Sequence, residues 1–167
     1  MIQKKVCMVG AFATGKTSLV ARFVKGIYSE KYQTTLGVKI DKKQVSVSEQ
    51  TLTLMLWDIY GEDEFQKVRM SYLRGAAAYL LVVDGTRYDS LKVGLQLKNQ
   101  VNKVIGDIPF VVVINKHDLQ AQWEISAEDI STLRKDNLSV LCTSAKDNTG
   151  VEDCFIEVAN KIVEAAS

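Results

Sequence analysis

The chain has 167 residues, of which 47% are hydrophobic, and its 21 basic and 20 acidic side chains leave a net charge of +1. This length and composition support one domain, residues 1–167, with a core that needs no disulfide or metal. The balanced charge argues against a nucleic-acid surface or a polybasic membrane patch.

The three cysteines, Cys7, Cys142 and Cys154, lie far apart in the sequence, which favours reduced thiols in a cytoplasmic protein. No hydrophobic run is long enough for a signal peptide or a membrane span. The last residues contain no cysteine that could carry a lipid anchor. We therefore expect a cytoplasmic monomer whose association with a membrane would require a partner protein or a further tail.

The first predicted strand, residues 6–9, leads into Gly10-Ala-Phe-Ala-Thr-Gly-Lys-Thr, which fits the phosphate-binding pattern G-x-x-x-x-G-K-[S/T]. Two glycines let the backbone wrap around an anion with its amides facing the phosphate oxygens. Lys16 adds positive charge, the following helix turns its positive end to the same place, and Thr17 can coordinate Mg²⁺. Such a turn also arises by chance, but the strand before it and the helical spacing after it favour a nucleoside triphosphate site. The predicted contacts are Ala13, Thr14, Gly15, Lys16, Thr17 and Ser18.

The next elements alternate between strands and helices. Residues 38–47 and 52–57 show period-two alternation on either side of Ser48-Glu-Gln, which predicts a hairpin. Three later runs are almost wholly apolar, as in parallel strands covered on both faces; they are residues 79–84, 110–115 and 139–142.

Helical spacing of apolar residues predicts amphipathic helices over residues 91–105 and 151–162. Ser126 with Asp129, and Thr149 with Glu152, resemble helix-capping pairs. Together these elements predict an α/β fold with three layers, α/β/α, around a doubly wound, mostly parallel sheet that carries one antiparallel strand. Ligands of such sheets bind at the carboxyl ends of the strands.

Further polar segments fall at those strand ends. Asp58 closes the third strand and can reach Mg²⁺, while Gly61 offers an amide to a terminal phosphate, although Asp-x-x-Gly is also a common turn. The segment Asn115-Lys116-His117-Asp118 closes the fifth strand. The Asp118 carboxylate can accept hydrogen bonds from the N1 and N2 donors of guanine. Alternatively, this segment is a polar turn.

Two more loops complete the predicted site. Ser144-Ala145-Lys146 supplies amides for the guanine carbonyl, or is an ordinary loop. Thr35 lies in a long loop where its hydroxyl could reach Mg²⁺ only when a γ-phosphate is present, which would make that loop a switch. The order and placement of all these segments favour a guanine nucleotide over adenine, and so disfavour a P-loop kinase or ATPase.

With these motifs in place, the chain resembles the Ras-like small GTPases, and among them the Rab branch, over essentially its whole length. The matching segments occur in family order at residues 10–17, 35–38, 57–64, 72–76, 115–118 and 144–146. The resemblance implies a six-stranded sheet with five helices, GTP/GDP and Mg²⁺ as ligands, and two switch loops at about residues 28–40 and 58–73. It also implies that Tyr28 lies across the guanine and that Tyr32 closes over the phosphates.

The resemblance further implies that effector and regulatory proteins bind the two switch loops. Ile40, Trp57 and Tyr72 fall where Rab proteins place an exposed hydrophobic trio, with isoleucine here in place of phenylalanine; the alternative for each is packing in the core. Phe65 and Val68 share helical spacing with Tyr72 and support the interface interpretation.

The chain departs from the family pattern around the expected γ-phosphate. Glu62 replaces the glutamine that orients the attacking water, Tyr60 replaces an alanine, and Phe12 replaces a small residue. An ionised glutamate can only accept hydrogen bonds and adds negative charge beside developing negative charge. We therefore predict slow GTP hydrolysis by a catalytic set of Lys16, Thr35, Gly61 and Glu62, with a GTP-bound scaffold that does not cycle as the alternative.

Overall fold

The computed structural model describes residues 2–29, 37–59 and 70–167. Within these ranges six strands form one sheet in the order β2-β3-β1-β4-β5-β6. Strand β2 pairs antiparallel with β3, and all other neighbouring strands are parallel, so the predicted sheet is confirmed. The strands are β1 (Ile2–Gly10), β2 (Val38–Val47), β3 (Gln50–Ile59), β4 (Ala78–Asp84), β5 (Phe110–Asn115) and β6 (Val140–Cys142).

The described ranges contain four α-helices and two short 3-10 helices, whereas the family resemblance implied five helices. Tyr72, expected on a helical face with Phe65 and Val68, lies in a 3-10 helix of only four residues, and the other two positions fall outside the described residues. Among the described helices, none is long and apolar enough to cross a membrane. The α-helices are α1 (Lys16–Lys25), α2 (Tyr88–Val104), α3 (Ala127–Lys135) and α4 (Val151–Ala165), and the 3-10 helices span Met70–Leu73 and Gln120–Gln122.

The sheet separates two hydrophobic layers. In β1, Val6 and Met8 join a cluster with residues of α1 and α4, while Cys7 and Val9 join a cluster with residues of α2 and α3. Because successive side chains of a strand point to opposite faces, a strand covered on both sides needs an apolar residue at every position. The unbroken apolar runs therefore predicted the three layers correctly.

The two predicted helix caps had different outcomes. Ser126 accepts a hydrogen bond from the Asp129 amide at 3.0 Å, and the Asp129 carboxylate accepts from the Ser126 amide at 2.9 Å, so this capping box is confirmed. The prediction for Thr149 was wrong, because Gly150 precedes α4 and no side chain caps the helix. Thr149 is instead held by two backbone hydrogen bonds to Ser144, at 2.9 and 3.1 Å.

The predicted hairpin joins β2 and β3, but its loop is one residue shorter than expected. Val47 pairs with Gln50, which leaves Ser48 and Glu49 as a two-residue loop. Their φ angles are 48° and 63°, and a two-residue loop with both residues in this region is the type that favours Asn-Gly. Ser48 and Glu49 therefore adopt a backbone conformation that is unfavourable for residues with a Cβ.

We predict that the double substitution Ser48→Asn with Glu49→Gly raises the free energy of unfolding by about 1 kcal/mol, because both new residues accept positive φ at lower cost. Urea unfolding would measure the change. Glu49→Ala is the matched control, since it removes the same charged side chain and keeps a Cβ at that position. An equal gain in both variants would assign the effect to lost charge and contradict the backbone explanation.

Candidate functional site

The carboxyl ends of four parallel strands meet at one edge of the sheet. Gly10 ends β1, Asp58 is the second-last residue of β3, Asp84 ends β4 and Asn115 ends β5. Ser144 follows β6 two residues beyond its end. The topology thus brings together the polar segments that the sequence placed at strand ends, as expected for a ligand-binding edge in a doubly wound sheet.

The loop that follows β1, residues 10–15, is held by hydrogen bonds to its carbonyl oxygens. Lys16 Nζ donates to the carbonyls of Gly10 and Ala11 at 3.2 and 2.9 Å. The next donors come from the end of β5. Lys116 Nζ donates to the Ala13 carbonyl at 3.0 Å, and Asn115 Nδ2 donates to the Thr14 carbonyl at 3.1 Å.

Held carbonyls determine where the amides of the loop point. Every described peptide bond is trans, so the carbonyl of one residue and the amide of the next point in opposite directions. With the carbonyls of Ala13 and Thr14 turned toward Lys116 and Asn115, the amides of Thr14 and Gly15 are directed away from those side chains. Successive amides aimed to one side form an anion-binding concavity.

Gly15 is required where it stands. Its φ is 98°, and a Cβ at this position would lie 2.2 Å from Nδ2 of Asn115. Ala13 also has a positive φ, 62°, which costs a residue with a Cβ free energy. Positive φ at a non-glycine residue persists where the surrounding contacts impose it, here the hydrogen bonds behind the loop.

Lys16 begins α1 and is buried, with 6% of its surface exposed. Burial lowers the pKa of its ammonium to about 8; the carboxylate of Asp58 opposes this shift and the guanidinium of Arg87 adds to it. The first amides of α1, which include that of Ser18, lack acceptors within the helix, and the helix dipole makes this end positive. The loop, the lysine and the helix start therefore form one electropositive site suited to phosphate groups.

Thr17 and Asp58 bring two oxygen ligands together beside this loop. Thr17 Oγ1 donates to Asp58 Oδ2 at 2.6 Å, and Asp58 is buried. The pairing of β1 with β3, which sets Met8 opposite Asp58, holds the carboxylate at the edge of the sheet. Hydroxyl and carboxylate oxygens are hard ligands, and Mg²⁺ binds through one or two such groups together with substrate phosphates. This pair therefore fits the predicted magnesium site.

The predicted base-binding segments are also linked to one another. Asn115 is buried, and its Oδ1 accepts from Thr143 Oγ1 at 3.0 Å. Asp118 Oδ1 accepts from Ser144 Oγ at 2.7 Å, and that hydroxyl oxygen in turn accepts from the Asp147 amide at 3.0 Å. Asp118 is thus held in one orientation at the carboxyl edge of the sheet.

Arg22 of α1 holds the third of these segments and was not predicted from the sequence. Its Nε donates to the Ala145 carbonyl at 2.8 Å, and its Nη2 donates to the Lys146 carbonyl at 2.9 Å. The Arg22 side chain therefore turns these two carbonyls toward α1, the helix that begins at the phosphate loop. Arginine near the end of an amphipathic helix is usually predicted to face solvent, so the sequence gives little indication of this contact.

Asp84 and Arg87 were also missed, although Asp84 ends a strand at the same edge. The buried Asp84 Oδ2 accepts from Lys116 Nζ at 2.9 Å and from Arg87 Nε at 3.0 Å, and its Oδ1 accepts from the amide and hydroxyl of Thr86. Burial alone raises the pKa of the Asp84 carboxyl, but hydrogen bonds from Thr86, Lys116 and Arg87 outweigh it and hold that pKa below its usual value. Arg87 Nη2 also donates to the Phe12 carbonyl at 2.6 Å.

The three candidate effector residues lie around one part of the sheet. Ile40 pairs with Trp57 across β2 and β3, and Ile40 is 45% exposed, so core packing does not account for it. Trp57 is half-buried, with Lys5 Nζ lying 3.6 Å from its ring centroid. Tyr72 is half-buried. Tyr28, predicted to cover the guanine, follows α1 and is exposed.

Several predicted site residues lie outside the described residues. They are Tyr32, Thr35, Tyr60, Gly61 and Glu62. Their roles stay predictions from the sequence.

Comparison with known proteins agrees with the motifs. Residues 5–164 match the model of the Ras family. The chain is 33% identical to Ras-related protein Rab5 of Nicotiana tabacum over 167 residues, which cover 98% of this chain and 83% of the relative. It is 32% identical to Ras-related protein RABA1c of Arabidopsis thaliana, with 95% and 74% covered, and 30% identical to Ras-related protein Rab-11C of Dictyostelium discoideum, with 98% and 74% covered. The resemblance to the Rab branch is thereby confirmed. With a family match over nearly its whole length and a phosphate loop at the carboxyl edge of the sheet, the chain belongs to the Ras family of GTP-binding small GTPases.

Proposed function

We propose that this protein is a molecular switch that binds GTP and GDP with Mg²⁺, hydrolyses GTP slowly, and binds effector proteins according to the nucleotide it holds. The observation that carries this proposal is the pair of hydrogen bonds from Asn115 and Lys116 to the carbonyls of Thr14 and Ala13. They join the predicted base-binding segment to the predicted phosphate loop, so that one rigid unit receives both ends of a nucleotide.

Each group in this unit has a chemical role. The amides of the loop and the Lys16 ammonium stabilise the negative charge of the phosphates. Asp118 accepts hydrogen bonds from the guanine edge, and the segment at Ser144, Ala145 and Lys146 lies beside it to receive the guanine carbonyl. Lys116 and Tyr28 supply the flanks of the base site.

Magnesium fits the ligand pair of Thr17 and Asp58, with Thr35 as the further candidate from the first switch loop. When bound, the ion neutralises charge on the phosphates during phosphoryl transfer. The contact between Thr17 and Asp58 holds the hydroxyl and carboxylate oxygens close together. This arrangement reduces the ordering needed on binding.

Slow hydrolysis follows from the residues expected near the γ-phosphate. Glu62 can accept a hydrogen bond from water but cannot donate to the transition state, and its charge opposes the developing negative charge. The Phe12 ring belongs to the phosphate loop and would obstruct an arginine supplied by a partner protein. Gly61 and Thr35 keep their expected roles as an amide donor and a magnesium ligand.

Glu62 and Phe12 also favour one alternative function, a scaffold that holds GTP without cycling. Analysis of the nucleotide retained after gentle purification separates the two functions. Bound GDP supports turnover, whereas bound GTP supports the scaffold.

In either case effector binding is proposed at Ile40, Trp57 and Tyr72, since Ile40 is exposed and pairs with Trp57 across the strands.

Asp118→Ala is predicted to weaken GDP binding about 100-fold, because hydrogen bonds to a charged acceptor contribute about 1.5–3 kcal/mol each. Titration calorimetry with GDP and with inosine diphosphate, which lacks the exocyclic amine, would show the preference for guanine shrinking. Asp147→Ala is the control of equal charge, because Asp147 contacts Ser144 through its backbone amide. Unchanged guanine preference in the Asp118 variant would contradict the assignment.

Thr17→Val keeps the shape of the side chain and removes its hydroxyl. Chelation of magnesium should weaken GDP binding by the natural protein at least about tenfold, since a bound cation contributes several kcal/mol of charge stabilisation. The Thr17 variant should bind GDP equally with and without the chelator. Thr132→Val, on the exposed face of α3, should keep the full magnesium effect. A full effect in the Thr17 variant would remove this residue from the metal site.

Glu62→Gln is predicted to speed single-turnover GTP hydrolysis at least about tenfold, because glutamine both donates and accepts and adds no charge. Phosphate release from preloaded GTP would measure the rate. Glu64→Gln makes the same change of charge two residues away and should leave the rate unchanged. Equal rates for the natural protein and the Glu62 variant would refute slow hydrolysis by this residue.

A further inference from the structure

Arg87 makes a contact that the nucleotide motifs do not include. The carbonyls of Phe12, Ala13 and Thr14 are consecutive, and each accepts a hydrogen bond from a different side chain: Arg87 at 2.6 Å, Lys116 at 3.0 Å and Asn115 at 3.1 Å. The second and third donors belong to the predicted base-binding segment. The first donor comes from the residue directly before α2, 75 positions along the chain from the carbonyl that it binds.

The contact fixes one more amide of the phosphate loop. Because the peptide between Phe12 and Ala13 is trans, turning the Phe12 carbonyl to Arg87 directs the Ala13 amide to the opposite side. The amides of residues 13, 14 and 15 are then all directed away from the three donors. We propose that Arg87 is a positioning residue of the nucleotide site, which aims the Ala13 amide at the phosphates and thereby slows nucleotide release.

Ala13 explains why this peptide needs a restraint. Its φ of 62° lies in the left-handed region, where a Cβ is unfavourable. Rotation of the peptide between Phe12 and Ala13 changes that φ, so a released Phe12 carbonyl would let Ala13 leave the unfavourable region and carry its amide away from the phosphates. Arg87 opposes a rotation that the backbone itself favours.

Arg87 is itself held in place. Its Nε donates to the buried Asp84 carboxylate at 3.0 Å, and its backbone amide donates to the Asp84 carbonyl at 3.0 Å. Ser90, through its amide and its hydroxyl, donates to the Arg87 carbonyl at 3.0 and 2.7 Å. The planar guanidinium can then contact Asp84 and Phe12 at once, whereas a lysine ammonium has no such fixed fork.

This inference rests on the proposed function, and its experiment measures the release of fluorescent GDP from the folded protein in the presence of Mg²⁺. Arg87→Ala should release GDP about tenfold faster, the effect of losing one hydrogen bond from a charged donor. Arg87→Lys should fall between the alanine variant and the natural protein. Lys103→Ala, which removes a positive charge from the last turn of α2, should match the natural protein.

A second readout separates positioning of the loop from general loosening of the site. The ratio of affinities for GDP and inosine diphosphate reports on Asp118 and should not change in Arg87→Ala, because this variant alters the loop and leaves the base edge intact. Thermal unfolding checks that the variant folds. We expect it to fold, because the Arg87 side chain that it loses is 44% exposed.

The outcomes are distinct. Failure of the natural protein to bind GDP would refute the proposed function itself. Normal GDP binding with equal release from the natural protein and Arg87→Ala would refute the role of Arg87 alone. Faster release together with a changed ratio of affinities for GDP and inosine diphosphate would show that the substitution disturbs the whole site. This result would also overturn the positioning role. Faster release with an unchanged ratio and partial recovery in Arg87→Lys supports it.

Discussion

The phosphate loop depends on a restraint that acts on its carbonyl oxygens. An amide-lined concavity holds an anion only if the peptide planes cannot rotate, since rotation by half a turn would present carbonyl oxygens to the phosphates. Here Asn115 and Lys116 accomplish this for two consecutive peptides, with hydrogen bonds of 3.1 and 3.0 Å. Because both residues lie at the end of β5, the sheet itself sets the direction of the amides.

Close packing around the loop explains which positions of the phosphate-loop pattern require glycine. A Cβ on Gly10 would lie 2.3 Å from the Val82 carbonyl, and one on Gly15 would lie 2.2 Å from Asn115. The intervening residues are held through backbone oxygens, which every amino acid possesses. The backbone oxygen of Phe12, for example, can accept a hydrogen bond from Arg87 whatever side chain stands at this position.

Local signals in the sequence predicted local structure well. The bounds of β2 and β5 match the predicted residues 38–47 and 110–115, and the capping box at Ser126 formed as expected, because these features depend on neighbours in the chain. The cap at Thr149 failed because Thr149 pairs with Ser144. Motif spacing likewise placed Asp58, Asn115 and Ser144 at one edge, since the carboxyl ends of parallel strands coincide.

What the sequence could not predict was the set of side chains that hold the site from outside its motifs. Arg22 reaches a carbonyl 123 positions away and Arg87 reaches one 75 positions away, and neither contact leaves a periodic or spaced pattern. Both arginines donate to backbone oxygens, so these contacts do not depend on the side chains of the residues that they hold. Asp84 alone carried a usable signal, a carboxylate that ends a buried strand at the ligand-binding edge. It accepts hydrogen bonds from Lys116 and Arg87, which are two of the three donors behind the loop, so one buried carboxylate connects the end of β5 with the start of α2.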